Sequence, residues 1–350
     1  MDTSRGIAAR GHVDACLAGL KMYSLDPDVV LDVLLRPNAH WQRVVKEKRG
    51  KQRVCYSPSD DLRTLQWRLI RILDRSIKFH RGYCRIWDQR YAFTISKPRF
   101  PQTGWWKGSS IVANARVHRH SNSALVCDLR HAFQSITTRH IQSFLNRTQP
   151  FRIRRRRDAS WTYFPESLMW VASRLLTYYG RLRYGAPASP IMFNFMIDRL
   201  AVDLATAVNA PLHVNEAALR STQRILMTVY GDDICFSCKR GAVPESVLWR
   251  TETLVRQHGF RMNHAKTLRS GNGALLLPGV VISAHEVRPR DTYLDPLATA
   301  IQGGELTQDQ ANGHLGFLKP FKRPGRRALK RWGPTLYAQL QERAGVTINE

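Results

Sequence analysis

The chain has 350 residues, 43% of them hydrophobic, and carries 54 Lys and Arg against 27 Asp and Glu, a formal net charge of +27. Such a length and apolar content bury a sizeable core in one large domain or two to three closely packed ones, which excludes a disordered tail. The excess of positive charge points to a polyanionic partner, nucleic acid first. No stretch approaches the roughly 20 consecutive apolar residues that cross a bilayer. The amino terminus lacks a basic segment followed by an apolar run, so the expectation is a cytoplasmic protein with no membrane partner. Six cysteines, at positions 16, 55, 84, 127, 235 and 238, are too scattered for a disulfide framework. Cys235 and Cys238 form a lone CxxC; on a strand they face opposite ways and read as buried free thiols.

In chain order, Asp60 stands as the cap of a helix in which Leu62, Leu65, Leu69, Leu73 and Ile77 recur at helical spacing. Arg63, Arg68, Arg71 and Arg75 lie between them, so the helix is amphipathic and basic. Residues 124–128, ALVCD, read as a buried strand ending in an acid, after which Thr138 caps a short helix carrying Ile141, Phe144 and Leu145. The run Arg154 to Arg157 reads as an exposed basic loop. Residues 166–178 and 189–208 read as helices, the second long, very apolar and holding Asn194.

Residues 226–238 form two apolar strands about the turn Gly231-Asp232-Asp233. From about residue 290 the pattern is helical. Within 319–331, Lys319, Lys322, Arg323, Arg326, Arg327, Lys330 and Arg331 occur with no acid between them, beside Phe317, Phe321 and Trp332. That composition suits a phosphate backbone or a structured RNA.

Asp232 and Asp233 are adjacent acids at a bend held by apolar strands on both sides. A two-acid turn taken alone is an ordinary solvated hairpin. Partial burial, however, raises the cost of ionising both unless cations compensate, and oxygen donors suit Mg²⁺. Two such ions about 4 Å apart activate an attacking oxygen and stabilise a leaving phosphate. A third carboxylate is then wanted, and Asp128, at the end of its own apolar strand, is the candidate.

Six segments in order resemble prokaryotic reverse transcriptases, most closely the retron type, over roughly residues 40–320. VVKEKRGKQRVCYSPSDDLRTLQWRLIRIL is similar to the fingers segment, a basic hairpin with Gly50 followed by a helix. SSIVANARVH resembles an NAxxH block, here Asn114, Ala115 and His118. DLRHAFQSI resembles the palm motif that supplies the first metal-binding acid, GAPASPIMFN the nucleotide-pocket motif, and VYGDD the YxDD signature. GFRMNHAKT, with Lys266, resembles the next palm element. Two departures stand out: Tyr184-Gly185 where the family has glutamine before the glycine, and Leu277-Pro278-Gly279 where retrons carry VTG. The wider set of defence-associated and abortive-infection reverse transcriptases shares the same core.

The resemblance implies an α+β, right-hand polymerase fold: fingers, a palm with an antiparallel sheet, and a helical thumb. Residues 1–110 would be the N-terminal region and fingers, 111–285 the palm with fingers elements at about 146–182, and 286–350 the thumb. It implies an RNA-directed DNA polymerase with two Mg²⁺ ions held by Asp128, Asp232 and Asp233, using dNTP substrates. Lys46 and Arg53 would meet the triphosphate, with Lys48 and Lys51 as competing choices, and Lys266 would protonate or orient the leaving pyrophosphate. Tyr184, Gly185 and Pro187 would line the nucleotide pocket. Phe133, five residues beyond Asp128, would exclude the ribose 2′-hydroxyl where viral RNA-dependent RNA polymerases have an acid. Asn114, His118, Arg154, Arg155 and the basic set at 319–331 would bind nucleic acid.

The implied partners are a noncoding RNA and its DNA product, with an effector or accessory protein in antiphage defence. Two other readings stand beside this one: an abortive-infection polymerase with relaxed templating, and a catalytically idle RNA-binding subunit.

Overall fold

The computed structural model describes residues 26–48, 51–71, 110–148, 153–154, 161–162, 166–209, 225–283, 286–321 and 336–345. Its strands, in chain order, are β1 (Trp41–Lys48), β2 (Lys51–Pro58), β3 (Ser123–Asp128), β4 (Ile153–Arg154), β5 (Trp161–Thr162) and β6 (Ile225–Tyr230). They continue with β7 (Asp233–Cys238), β8 (Leu268–Gly271), β9 (Ala274–Leu277), β10 (Val280–Ser283) and β11 (Glu286–Pro289). The chain divides into two compact units, residues 1–99 with 131–199, and residues 100–130 with 200–350.

In the first unit β1 and β2 form an antiparallel hairpin and β4 pairs with β5. Arg154 therefore lies in a short strand opposite Trp161 rather than in the expected loop. The helix after β2 runs from residue 60 through at least 71 and buries Leu62, Leu65 and Leu69, with Arg63, Arg68 and Arg71 outside. Leu73, Arg75 and Ile77 lie outside the described residues. Its cap is Ser59, whose Oγ accepts from the Leu62 amide at 3.3 Å, and not Asp60, which pairs with Arg63. The same one-residue correction applies to the helix Thr138–Thr148, where Thr137 Oγ1 accepts from the His140 amide at 3.3 Å. In both cases two capping residues stand side by side, and only the amide geometry chooses between them. The helix expected over 166–178 ends earlier, at Leu175.

The second unit is built on a seven-stranded antiparallel sheet in the order β11-β10-β9-β8-β3-β7-β6. Strands β3 and β7 sit inside it, and all but the first residue of each is buried, which is why both read as continuous apolar runs rather than alternating ones. One face carries Ala124, Val126, Cys235, Leu277 and Val280, covered by Val112 and Ala115 of the helix Ile111–Val117. Leu125, Ile234 and Phe236 are buried on the other face by strand alternation. Cys235 and Cys238 are buried free thiols, as their spacing predicts. The helical pattern expected from about residue 290 begins at Asp291, while Glu286–Pro289, placed by the resemblance in the helical thumb, pairs with β10 as an edge strand. Helices Asp291–Gln302, Gln308–Leu318 and Leu336–Arg343 pack around Leu294, Leu297, Ile301, Ala311, Leu318 and Leu340. No described helix is long and apolar enough to cross a membrane.

Asn114 and His118, expected on nucleic acid, are both fully buried and cannot reach it. His118 follows the helix Ile111–Val117, and its ring nitrogens bond Ser237 Oγ at 2.7 Å and Thr228 Oγ1 at 2.8 Å. Asn114 lies beside the buried thiol of Cys235. The His118 ring fastens that helix to β6 and β7. Burial lowers the His118 pKa from 6.5 to about 4, so the ring is neutral in the folded state. Its contribution is complete above pH 6.5, where the unfolded ring is also neutral, and is lost as pH falls toward 4.

The expected loss over that window is roughly 3 kcal/mol. Urea unfolding of wild type against His118→Gln checks it: the variant is less stable at pH 7.5, and the gap narrows by pH 4.5. A gap independent of pH contradicts a buried neutral ring.

Candidate active site

Strands β6 and β7 are joined through Gly231 and Asp232, with Tyr230 opposite Asp233. Gly231 has φ +64 and Asp232 does not share the positive sign, the sign pattern of a II′ hairpin, which wants glycine at its first central position. On the other side of β7, Asp128 lies directly opposite Asp233. Directly opposed residues of an antiparallel pair share a face, with Cβ atoms about 5 Å apart. The ladder then continues past Asp128: the Leu129 amide donates to Asp232 O at 2.9 Å, the Asn263 amide to Asp128 O at 2.8 Å, and the Arg130 amide to Arg261 O at 2.8 Å. Asp128 is thus clamped by backbone bonds on both sides, and the three expected acids meet at one end of the sheet.

Asp128 is buried, and its Oδ1 accepts from Asn263 Nδ2 at 2.8 Å while Oδ2 accepts from Lys266 Nζ at 3.0 Å. Lys266 is therefore found on an acid rather than free to meet a triphosphate, although its side chain is 62% exposed. Burial, then the charges of Asp232 and Asp128, push the Asp233 carboxyl up to about 7, with Lys266 and Arg290 acting in the opposite direction. Asn263 and Arg290 were not singled out by sequence reasoning. Arg290 donates from Nη2 to Leu277 O at 2.6 Å and from Nε to Val280 O at 3.2 Å, holding the β9–β10 turn around Gly279. Only the fold carries the signal for it, since the residue follows an unremarkable four-residue strand.

The chemistry of this donor set fits Mg²⁺: three hard carboxylate groups, one of them held partly protonated by burial and by its like-charged neighbours. Among the described residues no three His, Cys, Asp or Glu side chains already converge on one point. Ion binding would need the carboxylates to turn toward a common centre, with Lys266 Nζ competing for Asp128 Oδ2. Because an ion displaces the Asp233 proton, its apparent affinity is expected to rise with pH by up to about tenfold per unit below pH 7, and to level off above. Mg²⁺ titrations followed by thermal shift at pH 6, 7 and 8 check this, with the pH dependence lost in Asp233→Asn.

The residues expected to bind nucleotide, apart from Lys266, lie in the first unit. Lys46 and Arg53 are exposed and directly opposite one another on β1 and β2. Like charges so placed repel, and an anion relieves them. Lys48 and Lys51, the competing pair, are backbone partners at the end of the same hairpin. Phe133 is buried with its ring 4.5 Å from Tyr184, edge to face, and 5.2 Å from Phe193. The Tyr184 carbonyl accepts from the Tyr56 amide at 2.7 Å, so strand β2 runs directly against Tyr184-Gly185; Pro187 is half-buried. Lys319 is exposed. Arg155, Lys322, Arg323, Arg326, Arg327, Lys330 and Arg331 lie outside the described residues, as does the side chain of Arg154.

Among solved structures the chain is similar to telomerase from Candida albicans with a TWJ fragment of telomeric RNA, at 12% identity and TM-score 0.44, covering 89% of this chain and 58% of that one. It is similar to apo telomerase from Candida tropicalis at 9% identity and TM-score 0.48, covering 89% and 60%. An RdRp complex matches at 12% identity and TM-score 0.45, over 79% of this chain and 25% of that chain. The chain thus spans less than two thirds of each of these neighbours. The sequence profile of the family reverse transcriptase (RNA-dependent DNA polymerase) matches residues 44–277, about two thirds of the chain, a span that includes β3, the β6–β7 turn and the Tyr184-Gly185 contact. The chain belongs to the reverse transcriptase family.

Proposed function

We propose that the chain is an RNA-directed DNA polymerase that copies a dedicated noncoding RNA, in antiphage defence, by nucleotidyl transfer supported by two magnesium ions. The observation that carries this reading is the register of β3 against β7, which sets Asp128 opposite Asp233 with Asp232 beside it. Asp128, Asp232 and Asp233 would hold the ions, which when bound would lower the cost of an ionised primer 3′-hydroxyl and of charge on the leaving pyrophosphate. Attack of that hydroxyl on the α-phosphate forms the new phosphodiester and breaks the bond to pyrophosphate, so the chain's contribution is positioning and charge neutralisation. Asn263 fixes one oxygen of Asp128, which sets the angle of the carboxyl. Lys266 supplies counter-charge to Asp128 in the resting site and turns to the pyrophosphate once a nucleotide is present. Lys46 and Arg53 bind triphosphate, and Phe133 forms an apolar wall against the 2′-hydroxyl, with Tyr184 bracing its ring.

The net charge of +27 supports an RNA partner. The defence role rests on the retron-like motifs alone. Purifying the chain with its bound nucleic acid and sequencing both strands tests the reading: it predicts one abundant RNA and a DNA complementary to it. A DNA product matching no bound RNA favours the relaxed-templating polymerase instead.

A further inference from the structure

A turn in the first unit carries a side chain that its backbone disfavours. Tyr178 and Arg181 face one another as a bridge, the Tyr178 amide donating to Arg181 O at 2.9 Å and the Arg181 amide to Tyr178 O at 3.2 Å. Between them lie Tyr179, with φ +48, and Gly180, with φ +69. Positive φ at both central residues is the I′ arrangement, which favours Asn, Asp or Gly at the first position, and a bulky ring there is an outlier. Burial does not compensate for it, because Tyr179 is 69% exposed. Strain of this kind persists where the surroundings impose it and gathers at ligand clamps.

The surroundings here are aromatic and basic. The Tyr179 ring lies 4.4 Å from that of Tyr178, which is stacked on Trp41 at 5.3 Å and tilted against Tyr56 at 5.4 Å. Tyr178 is locked from both ends: its hydroxyl donates to Asn38 Oδ1 at 3.0 Å and its carbonyl accepts from Arg183 Nε at 2.9 Å. The Arg183 guanidinium also lies over the Tyr56 ring at 5.0 Å. A rigid, layered support therefore presents one ring to solvent, beside Arg181 and Arg183, in a chain of strongly positive charge.

We propose that Tyr179 is a stacking platform for an unpaired base of single-stranded RNA. Every base has a π-face, so such a contact tolerates any sequence, and the neighbouring guanidinium groups favour the adjoining phosphates. The proposal rests on the RNA-binding part of the function above and not on the polymerase reaction.

The test uses the full chain without nucleotide or divalent ion, at a salt concentration where both probes bind. The probes are a fluorescein-labelled oligouridylate and an abasic ribose-phosphate strand of the same length, read by anisotropy. Tyr179→Asn suits the I′ turn and keeps the fold. It is expected to be at least as heat-stable as wild type, to bind the oligouridylate about tenfold more weakly, and to bind the abasic strand as wild type does. Tyr179→Phe retains wild-type binding of both. Equal binding of the oligouridylate by wild type and Tyr179→Asn, an equal loss on the abasic strand, or a Tyr179→Phe as weak as Tyr179→Asn would each overturn the proposal. Incorporation surviving in Asp232→Asn overturns the polymerase reading and leaves this one standing.

Discussion

Asp232→Asn is expected to lower dNTP incorporation by at least about 10³-fold while leaving the chain folded. The side chain is half-exposed at the bend, and the backbone carbonyl, which accepts the Leu129 amide, is untouched by the change. On the proposed mechanism the change removes one anionic donor for the ions, and electrostatic stabilisation of phosphoryl transfer accounts for several kcal/mol of barrier, about tenfold in rate for each 1.4 kcal/mol. Removing one of the two charges that raise the Asp233 carboxyl also relieves repulsion, so the melting temperature is expected to stay level or rise. Single-turnover incorporation and a thermal melt on the same preparation check both halves. A variant that loses activity and stability together would show that the acid is structural.

Gly185→Ala is expected to destabilise the first unit by about 3 kcal/mol and to disturb the Tyr184 contact. Gly185 has φ +99, where a Cβ is strained, and an added Cβ would stand 2.8 Å from Tyr56 O and 3.3 Å from its C and N. Those are backbone atoms of β2, which cannot turn aside as a flexible side chain can, so the hairpin or the Tyr184–Gly185 segment has to shift. The 2.7 Å bond from the Tyr56 amide to Tyr184 O is the first to lengthen, and the Phe133 ring then loses the neighbour that braces it. Denaturant unfolding measures the loss of stability. If Phe133 bars ribonucleotides as proposed, their weaker exclusion by the variant measures the loss of the brace, and an alanine variant as stable as wild type contradicts the close approach.

These two sites differ in how far the sequence announced them. The acids were legible because charge between apolar strands is costly and so stands out, and because Asp128 ends a strand of the same kind. The α+β right-hand polymerase fold followed from those motifs in order. Gly185 was legible as part of a motif, but its reason, the backbone of β2 lying against it, belongs to tertiary structure. Asn114 and His118 show the opposite failure. Polar residues in a recognisable block read as surface groups, and only the sheet beneath reveals hydroxyls at Thr228 and Ser237 that satisfy a buried ring.

Lys266 and Arg290 are cases of partner choice. Sequence shows a cation, but whether it meets a carboxylate, a carbonyl or a ligand depends on register more than a hundred residues away or across a four-residue strand. The helix caps at Ser59 and Thr137 missed by one position because adjacent residues offered the same chemistry.

Primer extension on a defined RNA template, supplied with the four dNTPs or the four NTPs in separate reactions and sequenced, tests the central claim most directly. The account predicts a DNA product complementary to the template, Mg²⁺-dependent and absent with NTPs or with Asp232→Asn. Extension with NTPs as readily as with dNTPs, or a product unrelated to the template, would contradict it.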